Sequence, residues 1–173
     1  MFRIIICLLL LTLCLFSVSD VYAAPETPPK REQASMVDSF LSGLEAETPK
    51  QAVELWILGV KNRSGAVQYA TLSPNLKQKT RYQFEKRSWG TGQSSPWVDN
   101  VRIIKEEKIS DNKVKYTIEY DLLTSNWKWD KKGQKVITVE KNPNRITPHW
   151  YITEITTKYN EWEAFTPAEI VIR

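Results

Sequence analysis

Cysteine is almost absent from this chain. Its two copies, Cys7 and Cys14, both lie inside an N-terminal apolar run. Residues 24–173 can therefore form neither a disulfide nor a thiolate metal site. Histidine is scarcer still, with His149 alone. A zinc site would have to draw nearly all its ligands from carboxylates, so no metal and no cofactor is expected. There is one long hydrophobic run, "IIICLLLLTLCLF" from Ile4 to Phe16, and it falls short of the ~20 residues a spanning helix needs. Neither sign of charge dominates: the net charge is +4, and acids and bases are interspersed, as in "KEEK" and "YNEWE". Such a balance serves solubility, with at most a mild affinity for anionic envelope surfaces.

The run that is present has the layout of a secretory leader. Arg3 supplies the positive start, the apolar stretch follows, and Val21 and Ala23 are the small residues at −3 and −1 of a cleavage site. Leu13 before Cys14 is too bulky for a lipobox. Residues 1–23 read as a signal peptide, and no integral span is expected after the cut. The protein is expected to be exported, to the extracellular space or the cell envelope, which argues against nucleic acid as a partner. Residues 24–47 read as a proline- and charge-rich spacer with a short helix through Met36, Phe40, Leu41 and Leu44. Residues 48–156 read as one domain, large enough for its own core, and 157–173 as a C-terminal tail. All seven tryptophans fall after the leader.

Inside the domain, the period of the apolar residues changes once. Thr48, Pro49 and Gln51 form a helix start signal, and Ala52, Leu55, Trp56, Gly59 and Val60 follow on one stripe. Ser64 caps a short second helix. Ser73 with Pro74 opens a third, to about Lys86, anchored by Leu76 and Phe84. Beyond residue 97 the pattern alternates. Val114, Tyr116, Ile118, Tyr120 and Leu122 form one face of a strand, against Lys115, Thr117, Glu119 and Asp121. Further strands are expected over 98–109, 134–141 and 149–156, with turns at 111–112, 131–134 and 142–148. The layout is α+β: N-terminal helices covering one face of a curved antiparallel sheet of about four strands.

Few motifs carry chemistry. "RSWGTGQSSPWV" (87–98) has Gly90 and Gly92 but Ser95 where a dinucleotide fingerprint wants a third glycine, and it leads from a helix into a strand. It reads as a corner, with a helix cap at Gly90, positive φ at Gly90 or Gly92, and Trp97 packed under the helices. The alternative is a loop closing over a ligand pocket. His149 stands beside Pro148 at a strand start, where a structural role fits, and no Gly-Xaa-Ser-Xaa-Gly marks a nucleophile. "SNWKWDKKGQK" (125–135) interleaves Trp127 and Trp129 with lysines; stacking on bases or sugars is one reading, the end of a core face the other.

The domain also carries a resemblance, which covers about residues 48–156 and is concentrated in the stretch from Thr48 to Val98. Trp56, Lys61, Arg63, Gly65, Ala66, Gln68, Tyr69, Ala70, Ser73, Pro74, Leu76 and Lys77, then Gly92, Ser95, Pro96, Trp97 and Val98, follow a recurrent pattern. It is that of a small extracytoplasmic domain of Gram-positive and related bacteria. That domain occurs alone or fused to membrane metallopeptidases of the β-lactam-sensor type. The resemblance implies a nuclear-transport-factor-2-like (cystatin-like) fold, with helices on a bent sheet forming a cone with a pocket. No His-Glu-Xaa-Xaa-His occurs, so peptidase activity is not implied and no catalytic residue is assigned. The fold hosts isomerases and non-catalytic binders alike. The expectation is an exported, non-enzymatic envelope module that binds a small ligand, peptide or partner protein near Trp56, Tyr69, Trp97, Tyr116 and Asp99. The alternative is a ketosteroid-isomerase-like pocket enzyme with Asp99 or Glu119 as a buried base.

Overall fold

Each of the three helices starts on the hydroxyl residue that the sequence predicts. In the computed structural model, which describes residues 39–40, 43–92, 95–126, 132–142, 149–158 and 165–172, helix α1 spans Pro49–Lys61, α2 Gly65–Ala70 and α3 Pro74–Lys86. Thr48, Ser64 and Ser73 accept from the backbone N–H three residues on, at Gln51 (3.1 Å), Val67 (3.3 Å) and Leu76 (3.4 Å). Each bond satisfies one of the four donors a helix start leaves free. The capping box slips by one position: Gln51 Oε1 accepts from the N–H of Glu47, not of Thr48. Of the expected short helix before Thr48, Ser39, Phe40 and Gly43 are helical and Phe40 is exposed. The expected signal peptide, the proline-rich spacer, and Trp127 and Trp129 lie outside the described residues.

The strands are β1 (Trp97–Ser110), β2 (Lys113–Leu123), β3 (Gly133–Lys141), β4 (Trp150–Lys158) and β5 (Glu169–Ile172), in that order across one sheet. This corrects the expectation of about four antiparallel strands. β5 lies within the segment read as a tail and pairs parallel with β4, Ile155 opposite Glu169 and Thr157 opposite Val171. A four-residue strand is too short to show a period, and parallel pairing needs a crossover that no turn motif announces. The expected turn at 131–134 also runs too far, since Gly133 and Gln134 already belong to β3.

The helices do not all cover the sheet, which is a second correction. α1 is the helix that lies against strands, over β1, β3 and β4; α2 packs on α1, and α3 on α2. The core therefore sits between α1 and the inner face of β2, β3 and β4. Ala52, Val53, Trp56, Ile57 and Val60 face Val114, Tyr116, Ile118, Tyr120, Leu122, Ile137, Val139, Ile152 and Ile155. Trp56, Ile118, Tyr120, Ile137, Val139, Ile152 and Ile155 have no solvent exposure, the dense packing that a chain without disulfides requires.

One end of this apolar face is ionic. Lys135 lies on the inward side of β3 with Ile137 and Val139, opposite Thr157 of β4. Its ammonium donates to Glu169 Oε2 at 2.5 Å and to Thr157 Oγ1 at 2.9 Å, with neither Lys135 nor Glu169 side chain exposed. Thr157 donates to the same carboxylate oxygen. Glu169 Oε1 accepts the backbone N–H groups of Phe165 (2.7 Å) and Thr166 (3.0 Å). The ammonium also sits 3.9 Å from the Phe165 ring centroid, a favourable cation–π position. These contacts tie β5 and the turn before it to the centre of the sheet. The interleaved-lysine reading of 125–135 thus loses Lys135, which is buried in this pair.

A buried ion pair is costly to break from one side. Lys135→Met should lower stability by about 3–5 kcal/mol in urea unfolding, because it strands a desolvated carboxylate. Lys135→Met combined with Glu169→Gln, which removes the charge and keeps a carbonyl oxygen for the Phe165 and Thr166 N–H groups, should recover most of that loss. A double variant as unstable as the single one would show that the cost lies in packing and not in the unpaired charge.

Candidate functional site

The loop 87–92 and the turn between α1 and α2 are joined backbone to backbone. Gly65 N–H donates to the Trp89 carbonyl at 2.7 Å, and Thr91 N–H to the Arg63 carbonyl at 3.1 Å. Ser64 and Gly90 form an isolated bridge between them. Contact this close requires glycine. A β-carbon on Gly65 would fall 2.8 Å from the Trp89 carbonyl oxygen, and one on Gly59 would fall 2.7 Å from Gln68 Cγ. α3 ends at Arg87, not at Gly90, and Ser88 (φ 49°) and Trp89 (φ 60°) turn the chain in left-handed conformations. Such conformations in side-chain-bearing residues persist only where the surroundings enforce them. Here the enforcement is aromatic: the Trp89 ring stacks on Phe84 (5.9 Å between centroids) and meets Tyr69 edge-on (5.2 Å). Of the two glycines expected at positive φ, Gly92 takes it (74°).

This arrangement lines a cavity of about 510 Å³. Val60, Lys61 and Arg63 come from the end of α1 and its turn, Gln68 from α2 and Arg87 from the end of α3. Gly90, Thr91 and Gly92, then Pro96, Trp97 and Val98, form the loop wall, and Leu122 and Phe165 close the far side. The 87–92 loop is therefore both a corner and a pocket wall. The Ser95–Pro96 peptide beyond it is cis.

Two features of the lining are chemically distinctive. Lys61, Arg63 and Arg87 are exposed cations, and among the described residues no acidic one lines the cavity with them. Among the described residues none of the three forms a salt bridge. Gln68, in contrast, is completely buried. Its Nε2 donates to Thr91 Oγ1 at 2.7 Å, and its Oε1 has no hydrogen-bond partner. A buried acceptor left unpaired costs about 1–3 kcal/mol; Trp56 Nε1 and Thr166 Oγ1 are also buried without a partner among the described residues, but of these residues Gln68 is the one that lines the cavity.

Of the five site residues expected from the sequence, the structure places Trp97 in this lining. Trp97 is half-buried, not packed under the helices as expected; Trp89 is the loop tryptophan that packs against the core. Trp56 is buried completely in the core beneath α1. Tyr69 is half-buried, its hydroxyl donating to the Lys77 carbonyl at 3.2 Å and its ring held by Phe84 and Trp89. Tyr116 is a core residue, and burial, with the Glu106 carboxylate beside it, pushes its phenol pKa up to about 12. Asp99 is exposed, its Oδ1 accepting from the N–H of Asn100 at 2.8 Å. Glu119 is no buried base either: Arg102 Nη2 donates to it at 2.7 Å and holds its carboxyl below the usual carboxylate range.

Other polar centres are structural. Asp121, expected on the wet face of β2, is buried and takes a hydrogen bond from Asn100 Nδ2 at 2.9 Å and an ion pair from Lys132. Asn100 reaches it from a left-handed conformation (φ 49°) at a β1 bulge, a position asparagine tolerates. His149 Nδ1 lies 3.2 Å from Glu45 Oε2. Among the described residues no group of three His, Cys, Asp or Glu could hold a metal, and no helix is long and apolar enough to cross a membrane. Lys61, Arg63, Gln68 and Arg87 received no ligand role from the sequence. The signal present was local: glutamine is an unusual choice on the inner side of a six-residue helix otherwise made of Gly, Ala, Val and Tyr.

Two measurements check these placements. Trp89→Ala should cost about 3–5 kcal/mol in urea unfolding, as for a packed aromatic, and Trp97→Ala about 1.5 kcal/mol or less, as for a partly exposed ring. The reverse ranking would put Trp97 in the core. Tyr116 supplies a pH test. Its phenol pKa is above the unfolded value of 10.0, so the folded state retains the proton longer. Its contribution to stability is complete below pH ~10 and is lost as pH rises towards ~12. Tyr116→Phe should flatten that decline, and an unchanged decline would assign it to other groups.

Comparison with protein-family models, with curated proteins and with solved structures gives no match for this chain.

Proposed function

We propose that this domain is an exported, non-enzymatic module that binds a small ligand in the cavity between the α1–α2 turn and the 87–98 loop. The observation that carries the reading is the orphaned Gln68 acceptor, buried where the cavity meets α2. Buried polar groups are nearly always paired, and an unpaired one on a cavity wall marks where a ligand's polar atom would fit. The apolar wall of Val60, Trp97, Val98, Leu122 and Phe165 supplies the contact area. Export is supported by the leader-like sequence before Ala24, and membership of the extracytoplasmic family by the pattern from Trp56 to Val98.

Catalysis gains no support from the carboxylates. The buried ones, Asp121 and Glu169, each face a lysine, whereas an isomerase base needs an apolar site that leaves it free to take a proton. Asp99 and Glu119 lie outside the cavity lining.

Val98→Trp tests the reading by filling the cavity from its β1 wall. A fragment library screened by ligand-observed NMR should give binders to the parent chain that compete with one another. Val98→Trp, with an unchanged circular dichroism spectrum, should lose at least about tenfold in affinity for them, the loss of some 1.4 kcal/mol of contact. Binders indifferent to Val98→Trp would place any ligand elsewhere.

A further inference from the structure

The three cations of the cavity and its buried amide specify more than a small ligand. We propose, resting on the cavity reading above, that the ligand is a peptide-like carboxylate, a small organic anion that carries an amide group and an apolar body. Among the described residues, Lys61, Arg63 and Arg87 line the cavity without salt-bridge partners and without an acid beside them. A guanidinium meets a carboxylate through two parallel hydrogen bonds, and two arginines from different elements line this cavity. Their positions are set by the fold. Arg63 is held in a left-handed turn (φ 53°), and its carbonyl is bonded by Thr91 N–H at 3.1 Å. Arg87 is the C-cap of α3.

Charge alone does not account for the interior. Gln68 is wholly buried and offers an acceptor without a partner, so the ligand needs a donor that enters beyond the rim. An amide N–H provides one, and its carbonyl leaves the same group able to answer either end of the glutamine. Val98, Leu122 and Phe165 then take an aliphatic side chain. A bare inorganic anion would meet the cations and leave both the amide and the apolar wall unused.

The test compares N-acetylated dileucine bearing a free C-terminal carboxylate with its C-terminal carboxamide, by calorimetry on the full chain at low salt. The carboxylate should bind about tenfold tighter or more, and the gap should close as salt screens the rim. Arg63→Gln with Arg87→Gln, both at exposed positions and so compatible with folding, should abolish the gap. Gln68→Met should weaken both forms. Equal affinities for the two forms would overturn the anion assignment, and if Val98→Trp still blocked both, the cavity reading would stand without it. Inorganic phosphate displacing the dipeptide at equal concentration would overturn the amide and apolar requirements. Absence of binding by both forms would overturn this inference, leaving the cavity itself to the fragment screen.

Discussion

Backbone contact between the Arg63–Gly65 turn and the Trp89–Gly92 loop is the constraint on which the helical layer and the cavity both depend. Two hydrogen bonds, Gly65 to Trp89 at 2.7 Å and Thr91 to Arg63 at 3.1 Å, draw together segments that α2 and α3 separate in the sequence. The contact forces Ser88, Trp89 and Arg63 into left-handed backbone, at a cost of order 1–3 kcal/mol each. Packing of the Tyr69, Phe84 and Trp89 rings offsets it, since aromatic pairs add about 0.5–1.5 kcal/mol beyond the area they bury. Because Trp89 is both a strained residue and one of the packed rings, the loop that lines the cavity is placed by the core and not by its own preferences alone.

The sheet has a comparable dependence at its other end. β5 is four residues long and pairs parallel on one side only, so its hydrogen bonds alone are a weak hold. Glu169 supplements them by accepting from Lys135, Thr157 and two backbone N–H groups, which uses the capacity of both carboxylate oxygens. Such a pair contributes little net stability over a hydrophobic substitute. Its physical consequence is geometric: a carboxylate satisfied only in this register opposes any slip of β5 along β4.

Polar groups thus fall into two kinds. Asp121 and Glu169 are buried and paired, which suits structure. Lys61, Arg63 and Arg87 are exposed without salt-bridge partners among the described residues, and Gln68 is buried with an acceptor unused. The buried acceptor left unpaired costs stability, and a binding site is a setting in which such a cost is recovered when ligand arrives.

The amino-acid sequence by itself determined the features that depend on residues three or four positions apart. Thr48, Ser64 and Ser73 cap their helices because a hydroxyl needs only the N–H three residues on. The apolar stripe of α1 and the alternation of β2 are equally local, so these two elements stood where periodicity put them. Tertiary structure alone decided what crosses the chain. Gln68 meets Thr91 across 23 positions and Lys135 meets Glu169 across 34, and no local pattern registers either. For the same reason Trp56 and Tyr116, plausible as pocket aromatics, belong to the core, while Arg63 and Arg87, which look like ordinary surface charges, face a cavity. A side chain's type constrains what it can bind, but which wall it faces follows from the packing of elements distant in sequence.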